Sequence, residues 1–492
     1  MRNIFLIALL LLVLDGSAQQ FLLSPQLGEA WQEISRLRLQ RAEVLIAQEK
    51  NIRKDNILAD VFTLQLLFQK ALASGSADDE QNFQQAKGQL QKQLSGLNTS
   101  NPWQHWALGY SGMISLMLRM RAGQQWQVAM ELRRTYTRIE SAYTLHPDFI
   151  PNQLSHGLMQ VALGSAPEQV SMVLRMASFN ADSQEGIAKL MKIFQLPESH
   201  PFAFMRSDAA IMLGMASRAM QMDAATKDIM LSKMSVLDRR NLMLQYTLAY
   251  LLMRDGRNEE ALKVLNNRPV SNEYTEFPLI DYLLAEALLR KGSHLAEAKY
   301  RLYIRESQVT MYHADAQRKL GWIALLEGDT ATYLSQMKIC RASSGNSERD
   351  EDARREAMSR QLPHPVLLLA RLRFDGGYYA EARTILDKSS PLFSEAVNSH
   401  RLEFIYRRAR VAEAEGQLDN ALRWYSETYQ LGQHAPDYFA ANAALRLGDL
   451  FAQLNNHTEA ALWYNRCLAA KPDSYRSSIH AAAKTGLRRI GK

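Results

Sequence analysis

A repeated pattern in the second half of the chain constrains its fold more than any other feature. A small residue, preceded in most copies by leucine, is followed seven positions later by glycine or asparagine, at periods of 36, 36, 49, 39 and 39 residues. Such repetition predicts an array of similar structural units. The six copies are Ala249 with Gly256, Ala285 with Gly292, Gly321 with Gly328, Ala370 with Gly377, Ala409 with Gly416, and Gly448 with Asn455.

Each part of the pattern has a steric reason. The small residue allows two antiparallel helices to approach closely, and the glycine or asparagine tolerates the positive φ that ends the first helix. About five residues later most copies have a second small residue at the helix contact, namely Ala261, Ala382, Ala421 and Ala460. Apolar residues recur at helical spacing almost throughout, without sustained alternation, so the sequence predicts an all-α fold.

This pattern resembles the tetratricopeptide repeat, a helix–turn–helix unit of about 34 residues. The resemblance covers roughly residues 240–490. It implies an α-solenoid of antiparallel helix pairs in a right-handed superhelix, with the first helix of each pair lining a concave groove. It also implies that the groove binds a protein or an extended peptide.

The same resemblance gives candidate partner-binding residues, because the groove positions have a fixed offset from each small residue. Tyrosine, tryptophan and arginine among them are types enriched at interfaces. The candidates are Tyr246, Tyr250, Arg254, Tyr282, Arg290, Arg318, Trp322, Arg371, Tyr406 and Arg410. We expect the aromatic members to be partly exposed. In the alternative, these residues pack between repeats and Glu286, Glu403 and Glu413 neutralise the arginines.

The sequence divides into three parts: a signal peptide at 1–18, an irregular helical domain at 19–200, and the repeat array at 201–492. In the second part, residues 31–49 and 56–73 are predicted to form a pair of helices. The long third interval, between the third and fourth copies, contains a charged insertion at 343–361. Its high charge predicts an exposed extra helix or a mobile loop, and favours a solvated linker over a dedicated interaction site.

The segment 147–193 contains three glycines and Pro167 within apolar helical patterns. It resembles the corresponding segment of the tetratricopeptide repeat protein 39 family of outer-membrane-associated helical proteins. The resemblance implies a helix over 154–163, a turn at 166–167, a second helix over 170–177 and a third from Gly186 onward. Because Pro167, Glu168 and Arg175 interrupt the apolar pattern, a buried helical hairpin is favoured over insertion in a membrane.

The N-terminus predicts export. Arg2 precedes eleven apolar residues at 4–14, and small residues follow at 16–18, which is the pattern of a secretory signal peptide cleaved between Ala18 and Gln19. We expect a soluble protein in the periplasm of a Gram-negative bacterium, where a membrane-associated partner is also accessible. The net charge of +7 is modest and no basic run is present, so nucleic acid is not an expected partner.

No pattern of catalytic or metal-binding residues is recognisable. The chain lacks the common hydrolase, nucleotide-binding and thiol motifs, and its eleven histidines are scattered without helical pairing. The sequence therefore predicts no enzymatic activity, no cofactor and no metal. It favours an exported scaffold that binds a protein or peptide in its groove, over the alternative of a glycan- or envelope-component-binding helical protein of the nutrient-uptake type.

Overall fold

A computed structural model describes residues 20–97, 100–165, 179–216, 224–345, 347–359, 361–393 and 399–491. Within these ranges there are 24 α-helices, one short 3-10 helix and no strand. The predicted all-α fold is confirmed. The predicted signal peptide and the elements predicted at 166–177 lie outside the described residues, and the predicted domain boundary at 200 stays a prediction.

The contacts divide the chain into two compact units. The N-terminal unit comprises the described parts of Met1–Leu251 with Lys263–Ile280 and Glu306–Val309, and the C-terminal unit comprises Leu252–Leu262, Asp281–Arg305 and Thr310–Lys492. The N-terminal unit contains α1 (Pro25–Ser35), α2 (Leu39–Ile52), α3 (Ile57–Ser74), α4 (Ala77–Ser95), α5 (Pro102–Arg121), α6 (Gln125–Leu145), α7 (Ile150–Gly164), α8 (Ser183–Phe194), a 3-10 turn (Ala203–Met205), α9 (Arg206–Ala216) and α10 (Ala224–Leu237).

An aromatic cluster forms the core of the N-terminal unit. The ring of Trp31 lies 4.8 Å from Phe62, 6.1 Å from Trp106 and 6.3 Å from Phe204, measured between centroids. The helix α3 has the length and apolar composition of a membrane span, with a mean hydropathy of 1.3, but 56% of that window is buried. Its apolar residues are thus accounted for by packing in this core.

One predicted helix of this unit is wrong. Residues 31–49 do not form a single helix, because α1 ends at Ser35 and α2 begins at Leu39. Between them Leu37 has a φ of +67°, a left-handed conformation that leucine rarely adopts. Its side chain is only 2% exposed, so burial of the leucine offsets the cost of that conformation.

Three helices are divided between the two units: α11 (Leu242–Arg254), α12 (Asn258–Asn266) and α13 (Leu279–Lys291). The remaining helices belong to the C-terminal unit, except for the last residue of α14. They are α14 (Leu295–Glu306), α15 (His313–Leu326), α16 (Thr330–Ala342), α17 (Glu348–Met358), α18 (Pro365–Asp375), α19 (Tyr379–Phe393), α20 (Ser399–Ala414), α21 (Leu418–Gly432), α22 (Phe439–Gln453), α23 (His457–Ala469) and α24 (Arg476–Arg489).

The repeat pattern has the structural meaning that the sequence predicts. All six glycine or asparagine positions fall in the turn between the two helices of a pair, with φ between +58° and +88°. The six small residues of the first helices are buried. The prediction of antiparallel helix pairs built on the tetratricopeptide pattern is confirmed.

Candidate functional site

A cavity of about 300 Å³ opens in the C-terminal unit and is lined by α18, α20, α22 and the start of α24. We call it the arginine cavity, since three arginines and one carboxylate line it. Its residues are Ala370, Arg371, Phe374, Asp375, Tyr406, Arg407, Arg410, Val411, Tyr438, Asn442, Tyr475, Ser478 and Ile479.

The charges of the lining do not balance. Asp375 is the single acidic residue of the lining, and its carboxylate lies 3.6 Å from Arg371 Nε. Arg407 is paired with Glu403, which lies outside the lining. Arg410 forms no ion pair with any described residue within 4.0 Å. Of the three arginines of the lining, one, Arg410, is therefore left without an ion pair among the described residues.

Arg410 is held in place by aromatic contacts. Its Nη1 donates a hydrogen bond of 3.3 Å to the hydroxyl of Tyr406, and its guanidinium carbon lies 4.3 Å from the centre of the Phe374 ring. Burial disfavours the cation, but Tyr406, Tyr425 and the negative charge of Asp375 outweigh it and raise the pKa of Arg410 above its ordinary value. A charged guanidinium is thus oriented in the cavity near Asp375, without an ion pair within 4.0 Å among the described residues.

Polar and aromatic groups complete the wall. The ring of Tyr475 lies 5.1 Å from Tyr438, and its hydroxyl donates to Asp352 Oδ2 at 2.8 Å. The Asn442 side chain has no hydrogen-bond partner among the described residues, which leaves its amide available to a ligand. Phe374, Val411 and Ile479 supply apolar surface.

The structure brings three of the ten predicted groove residues into this cavity: Arg371, Tyr406 and Arg410. Tyr246 and Tyr250 are half-buried in the N-terminal unit, where the Tyr246 ring lies 5.3 Å from Phe277. Arg254 is exposed at the end of α11. Whether these residues bind a partner stays a prediction.

The guanidinium of Arg290 is bonded to the backbone of two other helices, whereas a groove residue that binds a partner needs free donors. Its Nη1 donates to the carbonyl oxygens of Met253 and Asp375, at 3.0 and 2.9 Å. This arginine therefore holds two helix ends together within the C-terminal unit.

The expected exposure of the aromatic residues is wrong for three of them. Tyr282, Trp322 and Tyr406 are each 1% exposed. Tyr282 donates a 2.5 Å hydrogen bond to Asp315, and Tyr406 packs 5.2 Å from the Phe439 ring. Long aromatic side chains at these repeat positions reach the next helix, and burial there removes them from water.

Arg318 is also buried, at 8% exposed, and is paired with Asp315 and Glu356. The proposed neutralising residues have other partners: Glu286 contacts Lys319 and Arg349, Glu403 contacts Arg407, and Glu413 contacts Arg446. Charge neutralisation thus occurs, as the alternative expected, but between different residues.

The charged insertion forms an extra helix, one of the two forms that the sequence predicts, but this helix is partly buried and is not a solvated linker. Its described part forms α17, which begins with a capping box between Ser347 and Asp350. Asp350 and Ala353 are fully buried, and Asp350 accepts hydrogen bonds from the backbone of Tyr312 and Asp315 at 2.9 and 3.2 Å. The sequence of α17 is a succession of acidic residues and arginines, and it does not indicate the distant backbone groups that Asp350 contacts.

Several lining residues are also absent from the predicted set, among them Asn442, Arg407, Tyr438 and Tyr475. Asn442 lies six positions before Gly448, so the groove offset applied to the sixth copy would have identified it. Arg407, Tyr438 and Tyr475 have no position in the repeat rule, and only the packing of α20, α22 and α24 brings them together. Among the described residues, no group of three or more histidine, cysteine or acidic side chains could hold a metal ion.

The comparisons with known proteins agree with the repeat pattern. The sequence profile of the tetratricopeptide repeat matches residues 401–473, which contain α21, α22, α23 and all but the first two residues of α20. No curated protein is similar enough to the chain to count as a relative. The resemblance of residues 147–193 to the tetratricopeptide repeat protein 39 family is not confirmed by these matches.

Several solved structures align with the chain at low identity. The C-terminal part of a TPR repeat-containing protein from Cytophaga hutchinsonii is 15% identical over 49% of this chain and 99% of its own, with a TM-score of 0.21. Human IFIT1, a dimer with PPP-AAAA, is 13% identical over 92% and 96%, with a TM-score of 0.33. A Rap protein complexed with competence and sporulation factor is 13% identical over 94% and 98%, with a TM-score of 0.25. At these values none of the bound groups is transferred to this chain.

Proposed function

We propose that this chain, which carries tetratricopeptide repeats, is a scaffold that binds an acidic extended segment of a partner protein through the arginine cavity. Repeats of this type typically bind protein partners and are generally non-enzymatic. The observation that carries the proposal is Arg410, a guanidinium oriented in an open cavity with no ion pair among the described residues.

The chemistry of the lining favours a carboxylate on the partner. A guanidinium presents donors that match the two oxygens of a carboxylate, and such charge-assisted hydrogen bonds are about twice as strong as neutral ones. Arg371 and Arg410 line the same cavity, and Asp375 neutralises only part of their charge. The amide of Asn442 can in addition hydrogen-bond a peptide backbone.

The size of the cavity limits what enters it. A volume of about 300 Å³ is at the lower end of ligand pockets. It accepts one or two side chains, or a chain terminus, and does not accept a helix. The partner segment is therefore extended where it enters, and an apolar side chain beside its carboxylate would pack on Phe374, Val411 and Ile479.

The test uses a fluorescein-labelled decaglutamate peptide with the full chain, followed by fluorescence anisotropy. We expect Arg371→Gln with Arg410→Gln to weaken binding by about tenfold or more, because two charge-assisted contacts are lost. The control, Arg341→Gln with Arg423→Gln, removes two exposed arginines of α16 and α21 and should bind as the wild type does. Equal affinity of the two double variants would overturn the proposal.

We further propose that the protein acts after export. The support is the sequence of residues 1–18, which has the charged, apolar and small-residue regions of a signal peptide. An acidic segment of a periplasmic or membrane-associated protein would then be the partner.

A further inference from the structure

The helix α17 lies on residues that the repeat pattern assigns to the groove of the second and third copies. Arg349 Nη1 donates to the Tyr282 hydroxyl at 3.1 Å and to Glu286 Oε2 at 3.2 Å. The Glu356 carboxylate accepts a 2.6 Å hydrogen bond from Trp322 Nε1. A segment of the chain itself thus makes the contacts that a bound partner would make there.

The same helix reaches the edge of the arginine cavity. Asp352 accepts the hydrogen bond of Tyr475, which lines the cavity. The guanidinium carbon of Arg371 lies 5.2 Å from the centre of the Trp322 ring, the ring that Glu356 binds. Asp352 and Glu356 are four residues apart and so lie on one face of α17. That acidic face borders the basic cavity.

Tyr475 adopts a conformation that depends on its contacts. Its φ is +57°, in the left-handed region that tyrosine seldom occupies. Strained residues of this kind persist only where their surroundings hold them and are frequent at switch and ligand-binding positions. For Tyr475 the holding contacts are the hydrogen bond to Asp352 and the packing on Tyr438.

We propose that α17 is an internal competitor for the partner-binding face, held by the hydrogen bonds from Tyr475 to Asp352 and from Trp322 to Glu356. This inference rests on the proposed function. A partner that fills the arginine cavity and extends toward the third copy collides with the C-terminal half of α17. Its apparent affinity is then reduced by the fraction of molecules in which that half is seated.

The two halves of the helix have different roles in this proposal. Asp350 and Ala353 are fully buried and anchor the first turns. Met358, at the other end, is 60% exposed. The second half is held by Glu356, through the hydrogen bond from Trp322 and the ion pair with Arg318, next to the bond from Tyr475 to Asp352. Release therefore involves residues 354–358 and leaves the anchored turns in place.

The experiment compares two neighbouring acids of α17 in the full chain, with the labelled decaglutamate as the probe. Asp352→Ala removes the acceptor of Tyr475, and Glu351→Ala removes one exposed carboxylate of the same helix, so the change in net charge is identical. We expect Asp352→Ala to bind about fivefold more tightly than Glu351→Ala. Tyr475→Phe, which removes the same hydrogen bond from the other side, is the second variant and should also bind more tightly than the wild type.

Hydrogen exchange supplies an independent readout. Binding of the probe to the wild type should accelerate exchange of the amides of residues 354–358, because bound partner and seated helix exclude each other. Equal affinities of Asp352→Ala and Glu351→Ala, with unchanged exchange, would show that α17 is only a structural element. If neither the wild type nor Asp352→Ala binds the probe, both proposals fail. If binding depends on Arg371 and Arg410 but not on Asp352, only the competitor fails.

Discussion

At the scale of single residues, the two arginines Arg318 and Arg371 show that the same residue type at related repeat positions can have opposite roles. The Arg318 side chain is 9% exposed and faces the fully buried Asp315, with Glu356 also in reach. The Arg371 side chain is 36% exposed, and its carboxylate neighbour Asp375 is 40% exposed. Loss of the Arg318 side chain leaves the buried Asp315 carboxylate without its ion-pair partner, whereas after loss of the Arg371 side chain water can solvate the half-exposed Asp375 carboxylate.

We therefore expect Arg318→Met to lower the free energy of unfolding by about 3–5 kcal/mol, the usual cost of breaking a buried ion pair. Arg371→Met should lower it by less than about 1 kcal/mol, as for an exposed pair. Urea unfolding followed by circular dichroism measures both values. Similar losses in the two variants would contradict the assignment of Arg318 to the core and of Arg371 to the cavity.

At the scale of elements, the last helix pair shows what a repeat glycine does. A Cβ atom added at Gly448 in α22 would lie 2.5 Å from Tyr464 Cδ1 in α23. Tyr464 is fully buried and donates a hydrogen bond to Asp449 at 2.9 Å, so the ring cannot move aside freely. The close approach of these two helices thus requires glycine.

We expect Gly448→Leu to lower the free energy of unfolding by about 1–3 kcal/mol through overpacking. The control is Gly88→Leu in α4, where no atom lies within 4 Å of an added Cβ. Because glycine is a poor helix former, that change should be neutral or stabilising by up to about 1 kcal/mol. The melting temperatures of both variants, measured by thermal unfolding, test this prediction. An unchanged melting temperature for Gly448→Leu would contradict the close contact between α22 and α23.

The elements that the sequence predicts correctly are those whose signal is local. A positive φ at Gly256 or Gly416 follows from the residue type and its place after a helix, and so does burial of Ala409. The break at Leu37 carries no such signal, since a leucine in the left-handed region is stabilised only by the core that buries it. The docking of α17 is likewise decided by Asp350, whose partners are 35 and 38 residues away.

The candidate site shows the same division. Arg371, Tyr406 and Arg410 follow from a fixed offset within each repeat, and they do line the cavity. The offset cannot tell which of these positions another element covers. Tyr282 and Trp322 have the same offsets as cavity residues, yet α17 donates to one and accepts from the other. Side chains from distant parts of the chain determine which groove positions stay open.

At the scale of the whole molecule, the cellular address determines which partners the cavity can meet. The apolar run of residues 4–14 has eleven members, and as a helix it would extend about 16 Å at about 1.5 Å per residue. The hydrocarbon core of a bilayer is about 30 Å thick, so this segment is too short to span it. With Arg2 before the run and Ala18 after it, the pattern is the basis of our proposal that this segment is a signal peptide that is removed on export.

Expression of the full chain in a Gram-negative host should therefore yield a periplasmic protein whose first residue is Gln19, as measured by fractionation and intact-mass spectrometry. Leu10→Arg places a charge in the middle of the apolar run and should leave the uncleaved chain in the cytoplasm. Leu22→Arg makes the same substitution four residues beyond Ala18, at a position that is 39% exposed. It should not affect export, because the charge lies outside the apolar run. An intact Met1 and a cytoplasmic wild-type chain would contradict the proposed address and restrict the partners of the arginine cavity to cytoplasmic proteins.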